Sequence, residues 1–463
     1  MRKKANIGLL VILLLVIWPG SIFAINGFER AYEIDIPEAT LNNGGVGNMI
    51  SGVDVDGDGL TEIYLVNDNW NDGATETIAR IYKLELTGST WTVVWSAVAP
   101  VAYQNTWPVL ALDDLDADGK TEIIWGPVNS TGTESNPYRI VVYENVAAGS
   151  DDFGVEQTDG SFLPNSKWTI TTVDDENIRP MDMQIADLDS DGTKELVMAD
   201  RKGNDSGMYF LVASVDDIPN TGDGSETWTL ETSGLDHTLS SAPENKWDVA
   251  VIGNNAYFWS ETEISKLSWS GSAYVYTALS PLAGGSFNQS SQVVDLDGDG
   301  TMEIIGAIYD WGDDNKKGVY LLQEDADTLK ATELVNMSSF WAGVSRGAWG
   351  GANGDIDQDG NLDFVFGSRG GNVNANIFRL AYLGGNISSP SSYSLTVIDS
   401  GIVDGGIWSV LNIANVDDDD ELEVLYTSSA SVGDLFAYSY PIVVLDYVGL
   451  WAGVDDFSRA YEI

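Results

Sequence analysis

Six segments of the chain set oxygen-bearing side chains at every second residue, a spacing suited to gripping a hard metal ion. They are DVDGDGLTEI from Asp54, DLDADGKTEI from Asp114, DLDSDGTKEL from Asp187, DLDGDGTMEI from Asp295, DIDQDGNLDF from Asp355 and NVDDDDELEV from Asn415. Carboxylates at positions 1, 3 and 5, a glycine at 6 and an acid at 9 can converge on one centre when the backbone turns tightly. Unpaired, four such carboxylates repel one another strongly. A hard divalent cation relieves the repulsion. Oxygen-only ligands in a flexible loop suit Ca2+ at about 2.3 to 2.6 Å better than Mg2+, which demands a strict octahedron and keeps its waters. Position 7 is expected to add a backbone carbonyl, from Leu60, Lys120, Thr193, Thr301, Asn361 and Glu421. The EF-hand is the obvious competitor, but its loop ends in a bidentate Glu at position 12 between helices. Here position 12 holds Leu65, Trp125, Met198, Gly306, Phe366 and Tyr426, and the flanks are β-like, so the EF-hand reading fails.

Turns of this kind need strands to hold them. Each acidic loop is followed by an apolar run (IYLV, IIWG, LVMA, IIGA, FVFG, VLYT), and most are preceded by one, as in WPVLALD and MQIAD. The local unit is therefore strand, acidic loop, strand. Further strands follow, such as IARIYKLEL then TWTVVWSAV. The loop starts at 54, 114, 187, 295, 355 and 415 are separated by 60, 73, 108, 60 and 60 residues. The longest interval is expected to hide a copy that has lost its acids, at WDVAVIGNNAYFWS from Trp247. Seven units of about 60 residues with about four strands each predict an all-β fold, a seven-bladed β-propeller of four-stranded blades with calcium-binding loops. The excess length falls in AAGSDDFGVEQTDGSFLPNSK and SVDDIPNTGDGSET, which read as loops inserted on the propeller surface.

The two ends match each other. FERAYEI at Phe28 recurs as FSRAYEI at Phe457, 429 residues on, which is seven periods of about 61. The chain has gone once round the circle and returned to its starting strand. Two copies cannot fill one slot in one ring, so either the last segment opens a second propeller of a longer protein or the two compete for blade closure; the former is the expectation.

The pattern Asp-x-Asp-x-Asp-Gly-x-x-Asp/Glu between two strands resembles the calcium loops of the FG-GAP or VCBS repeat family, known from the N-terminal propellers of integrin α chains. WGP at Trp125 and FGS at Phe366 resemble remnants of that family's name-giving pieces. The resemblance spans residues 25–463 and implies side-chain ligation from positions 1, 3, 5 and 9 and a carbonyl from position 7. In the first loop these side chains are Asp54, Asp56, Asp58 and Glu62; in the second, Asp114, Asp116, Asp118 and Glu122; in the third, Asp187, Asp189, Asp191 and Glu195. The fourth has Asp295, Asp297, Asp299 and Glu303, and the fifth Asp355, Asp357, Asp359 and Asp363. The sixth departs from the pattern, with Asn415 at position 1 and Asp420 in place of the turn glycine, beside Asp417, Asp419 and Glu423. Five or six Ca2+ ions are expected. Glu at position 9, where integrins usually have Asp, leaves its denticity open.

Composition narrows the function. The 463 residues carry 71 acids against 22 bases, a net charge of −49 that repels phosphate backbones and excludes nucleic acid as a partner. With no cysteine there are no disulfides, thiolate sites or thiol nucleophiles, and the single histidine, His237, rules out a multi-histidine metal site within one chain. Residues 1–24 run from Arg2, Lys3 and Lys4 through IGLLVILLLVIW to SIFA, the layout of a signal peptide cleaved after Ala24. A membrane anchor is the rival reading, for which the apolar run is short. Cleavage takes three positive charges and leaves −52, of which six ions would offset 12. No nucleophile elbow, P-loop or dinucleotide signature stands out. Trp70, Trp311, Trp341 and Trp451 lie among small or polar residues, where they either stack on a ligand or wedge between blades. The expectation is a secreted or surface module for adhesion or recognition of a protein or glycan, with no membrane span after cleavage. The alternatives are a calcium-dependent polysaccharide lyase and a passive segment of a larger surface protein.

Overall fold

The computed structural model describes residues 26–449 apart from 40, 43, 70–77, 101–107, 128–137, 170–179, 201–208, 235–244, 262, 281, 283–284, 310–317, 326–327, 338–346, 369–374, 403–409, 418, 428–430, 433–434 and 437–440. Residues 1–24, His237, Trp70, Trp311, Trp341, Trp451 and the second copy at 457–463 lie outside the described residues. Seven small antiparallel sheets form a seven-bladed β-propeller, as the repeat spacing predicts. Blade 1 is Val46–Val53, Glu62–Asn67, Arg80–Thr87 and Thr90–Val98, from inner to outer strand. Blades 2, 3, 4 and 6 begin at Val109, Pro180, Asp248 and Ala348 and repeat the order. In blade 5 the inner strand is split, and Ser286–Phe287 and Gln292–Val294 both pair with Glu303–Tyr309. Blade 4 is the unit without an acidic loop: Asp248–Ile252 and Asn255–Trp259 form a hairpin about the Gly253–Asn254 turn.

Blade 7 closes the ring. Its outer strand comes from the start of the chain, Phe28–Ile34, which pairs with Ile442–Tyr447 from Phe28↔Tyr447 to Ile34↔Ile442. Arg30 clamps that strand to Asp399 of blade 6 through Nε at 2.9 Å and Nη2 at 3.2 Å, and Tyr426 donates its hydroxyl to the same carboxylate at 2.5 Å. The slot that FERAYEI and FSRAYEI would both fit is thus filled by the first copy.

The apolar runs are buried because each blade is covered on both faces. Glu62–Asn67, Glu195–Asp200 and Glu303–Tyr309 are buried at every residue, whereas the outer strand Thr90–Val98 is mostly exposed or half-buried. Seven hydrophobic clusters each join two neighbouring blades, such as Val109, Ile124 and Val142 of blade 2 with Leu196 and Leu211 of blade 3. A further cluster of Met181, Trp247, Tyr309 and Trp349 packs where the inner strands meet, with Trp349 edge-on to Trp247 at 5.9 Å and to Tyr309 at 5.3 Å. Short polar side chains on the inner strands stitch blade to blade. Asn412 donates to the Met49 carbonyl and Asn48 to that of Pro108, both at 3.0 Å, while Asp182 accepts from Val249 N at 3.0 Å. Asp248 accepts from Ser290 N at 2.7 Å, and Gln292 donates to Gly351 O at 3.0 Å.

The inner strand of blade 1 reaches its neighbour through a bulge between Ser51 and Val53, where Gly52 has φ +76° and a Cβ would lie 2.2 Å from that of Ala414 in blade 7. Both the backbone and the contact demand glycine. Gly52→Ala is expected to cost about 2 to 4 kcal/mol, measured by chemical denaturation in excess calcium; a loss below about 0.5 kcal/mol would show that the junction can shift.

Candidate metal centres

All six acidic loops join the first two strands of a blade, and one set of hydrogen bonds recurs in them. The acid at position 9, at the start of the second strand, accepts the amide of position 2. Val55 N reaches Glu62 Oε2 at 2.8 Å, Leu115 N reaches Glu122 Oε2 at 2.6 Å and Leu188 N reaches Glu195 Oε2 at 2.6 Å. The fourth, fifth and sixth loops follow with Leu296 N to Glu303 Oε2 at 3.2 Å, Ile356 N to Asp363 Oδ2 at 3.1 Å and Val416 N to Glu423 Oε2 at 2.8 Å. Position 1 accepts the glycine amide of position 6: Gly59 N to Asp54, Gly119 N to Asp114, Gly192 N to Asp187, Gly300 N to Asp295 and Gly360 N to Asp355, all between 2.9 and 3.1 Å. Position 5 accepts the amide of position 7. Asp58, Asp118, Asp191, Asp299, Asp359 and Asp419 take Leu60, Lys120, Thr193, Thr301, Asn361 and Glu421 N in this way. Position 3 accepts from position 5 in the loops of Asp56, Asp116, Asp189 and Asp417. Asp297 lies in the fourth-loop group with Asp295 and Asp299. In the sixth loop Asn415 instead donates Nδ2 to the Asp419 carbonyl.

Each position-9 acid accepts its loop amide through one oxygen, whereas Asp54, Asp116, Asp187 and Asp355 accept backbone amides through both. In the second loop one oxygen from each of Asp114, Asp116, Asp118 and Glu122 lies within 4.8 Å of the others, and in the third loop the same holds for Asp187, Asp189, Asp191 and Glu195. The position-9 glutamates are essentially fully buried, yet Oε1 of Glu122, Glu195 and Glu423 accepts no hydrogen bond, nor does Oδ1 of Asp114, Asp295 or Asp357; Glu62 Oε1 accepts none either but has Lys83 Nζ at 2.6 Å. A buried anionic oxygen left bare is costly. All-oxygen donors directed at one point fit Ca2+, and because Oε2 is held by the position-2 amide, one oxygen of each of these glutamates remains for an ion.

The electrostatics fit the same reading. Burial pushes the Glu122 carboxyl up to about 9; the Leu115 amide opposes this, and Asp116, Asp114 and Glu144 add to it. Burial likewise pushes Glu195 up to about 8, aided by Glu231, Asp189 and Asp187, and Glu423 up to about 8, aided by Asp417, Asp419 and Asp446. The fold thus strains to keep these groups charged without a counter-ion.

Several contributions were not legible in the spacing. The insertions do not merely hang on the surface: each packs on the acidic loop of the preceding blade. From blade 2, Gly149 N donates to Asp56 O at 2.6 Å and Phe153 is fully buried. From blade 3, Ile218 N donates to Asp116 Oδ2 at 2.6 Å. Asn254, in the acid-free turn of blade 4, donates to Leu188 O at 2.9 Å in the third loop. Position 4 is left-handed even where it is not glycine, at Ala117, Ser190 and Gln358 (φ +61°, +62° and +53°). A cleft of about 720 Å3 opens beside the sixth loop between blades 7 and 1, walled by Tyr32 and Trp91 and flanked by Asp417 and Asp419. Among the described residues no helix is long and apolar enough to cross a membrane.

No family model matches the chain, and no curated protein matches it. Among solved structures it is similar to the intramolecular trans-sialidase from Ruminococcus gnavus (TM-score 0.41, 12% identity, covering 89% of this chain and 96% of that one). It is also similar to a mutant of the NanB sialidase from Streptococcus pneumoniae (TM-score 0.41, 12% identity, 91% and 71% covered). At such identities and scores no chemistry carries over.

Two outcomes follow for the loops. With a dissociation constant of about 10⁻⁴ M, 1 mM free Ca2+ adds about 1.4 kcal/mol per site, and Glu195→Gln is expected to remove one such increment; equal stabilisation of variant and parent by calcium in thermal melts would count against the third site. In the chelated protein the folded-state pKa values of Glu122, Glu195 and Glu423 lie above the ordinary 4.5. Their protonated forms favour the fold, so that stability is present below about pH 4.5 and is lost as pH rises through about 8 to 9. The rise in melting temperature on adding calcium is therefore expected to be larger at pH 9 than at pH 6, with proton release on binding; the opposite trend in calorimetry would refute this.

Proposed function

We propose that the chain is a calcium-stabilised β-propeller of the FG-GAP or VCBS kind, acting outside the cell as an adhesion or recognition module for a protein or glycan. The observation that carries the calcium part is the set of buried, bare oxygens on Glu122 and Glu195, each facing three aspartates. In a chain without cysteine, ions at the hairpin bends supply the rigidity that disulfides give other exported proteins, since binding to the folded state alone adds stability. Export is supported by the basic, apolar and small-residue layout of residues 1–24. The recognition part rests on the cleft beside the sixth loop, which half-buried Tyr32 and Trp91 line next to Asp417 and Asp419. Aromatic faces beside polar groups suit stacking on a sugar or anchoring a partner's side chain.

The mature chain is expected to bind members of a glycan or protein array in calcium and to lose them in chelator. Trp91→Ala should weaken that binding at least tenfold beyond any loss of fold, which is read separately in thermal melts because the ring also packs on the cluster between blades 7 and 1. Calcium-dependent release of unsaturated sugar from an acidic polysaccharide would instead make the chain a lyase, and calcium-independent binding would separate recognition from the loops.

A further inference from the structure

The strand position facing each acidic loop differs between blades in one respect that bears on the metal. The residue two beyond position 9 pairs with a residue of the third strand, on the same face as the loop acids. In four blades that partner is aliphatic: Ile124 pairs with Val142, Val197 with Val212, Ile305 with Leu321 and Leu425 with Val444. In blade 1 it is Lys83, opposite Tyr64, and in blade 6 it is Arg379, opposite Val365.

Both cations reach into their loops at positions 3 and 9. Lys83 is fully buried, with Nζ 2.7 Å from Asp56 Oδ2, 2.6 Å from Glu62 Oε1, 2.9 Å from Glu85 Oε1 and 2.9 Å from Asp151 Oδ1. Burial works against its charge, but these partners outweigh it and hold the ammonium above its ordinary value. Arg379 bonds Asp357 through Nη2, reaches Asp363 Oδ2 at 2.8 Å through Nη2 and Oδ1 at 2.8 Å through Nε, and rests against the rings of Tyr447 and Phe28. In the first loop Glu62 clusters with Asp56 and Glu85, the carboxylates that Lys83 bridges, beside a group of Asp54, Asp56 and Asp58; in the second and third loops position 9 joins positions 1, 3 and 5, and in the fourth Asp295, Asp297 and Asp299 group without it. Lys120 bridges Asp118 and Glu144 at the rim of the second loop and Lys194 pairs with Asp113 outside it, and Asp114 Oδ1 and Glu122 Oε1 stay bare.

We propose that Lys83 and Arg379 are resident cations that take the electrostatic place of a metal in the first and fifth loops, so that Ca2+ binds tightly only in the remaining acidic loops. This rests on the calcium reading above and divides its sites into two classes. An ammonium or guanidinium on two of the four side-chain ligands removes donors and repels a second cation. The first and fifth loops are closed by the chain itself; the others close on an ion.

Bound calcium is counted by equilibrium dialysis with elemental analysis, and affinities are measured by calorimetry, on protein folded in calcium. The parent is expected to hold at most four tight ions. Lys83→Met and Arg379→Met should each add one, at least tenfold tighter than any ion the parent holds at that loop, while Lys83→Arg and Arg379→Lys should keep the parent count. In chelator both methionine variants should melt below the parent, because their carboxylates lose the resident charge; Arg379→Met carries the count should Lys83→Met not fold. Six equivalent ions on the parent, or methionine variants with an unchanged count, would overturn the two classes while leaving the calcium reading standing. A parent that binds no calcium would overturn both.

Discussion

Mutual repulsion among carboxylates, confined at the bends between the first two strands of six blades, is the constraint on which the molecule turns. A second strand buried on both faces cannot begin with a free anion at no cost, yet Glu62, Glu122, Glu195, Glu303, Asp363 and Glu423 all start such strands and are buried. One oxygen of each is held by the position-2 amide, which fixes the width of the bend. The other needs a positive partner. Lys83 and Arg379 supply one to Glu62 and Asp363, and no such side chain reaches Oε1 of Glu122, Glu195 or Glu423.

The same bends hold the ring together. The blade 2 insertion lies on the first loop, the blade 3 insertion on the second and the blade 4 turn on the third, so ordering a loop also orders a junction between blades. Beneath these contacts the seven inter-blade clusters supply the apolar burial. The polar stitches of the inner strands set how closely neighbours approach, and Gly52 marks the point where no side chain fits between blades 7 and 1.

Much of this was legible in the sequence because a propeller repeats its physics. Apolar runs after each acidic loop are the buried second strands, and Trp247 to Ser260 kept its strand and turn chemistry after losing its acids, which is why the seventh unit could be found. The matching ends pointed to a closed ring, but only the pairing of Phe28–Ile34 with Ile442–Tyr447 shows which copy fills the slot. The resident cations were hidden because Lys83 lies 21 residues beyond Glu62 and Arg379 only 16 beyond Asp363. Hairpins of unequal length conceal positions that strand register makes equivalent. The docking of the insertions was hidden too: their polar composition reads as solvated loop, and single apolar residues such as Phe153 and Ile218 carry the contact.

The most direct measurement is anomalous diffraction at long wavelength from crystals grown in calcium. Peaks are expected between Asp114, Asp116, Asp118 and Glu122 and between Asp187, Asp189, Asp191 and Glu195, about 2.3 to 2.6 Å from Glu122 Oε1 and Glu195 Oε1. A map without peaks there, with those carboxylates turned outward to solvent, would contradict the claim that the bends exist to enclose an ion.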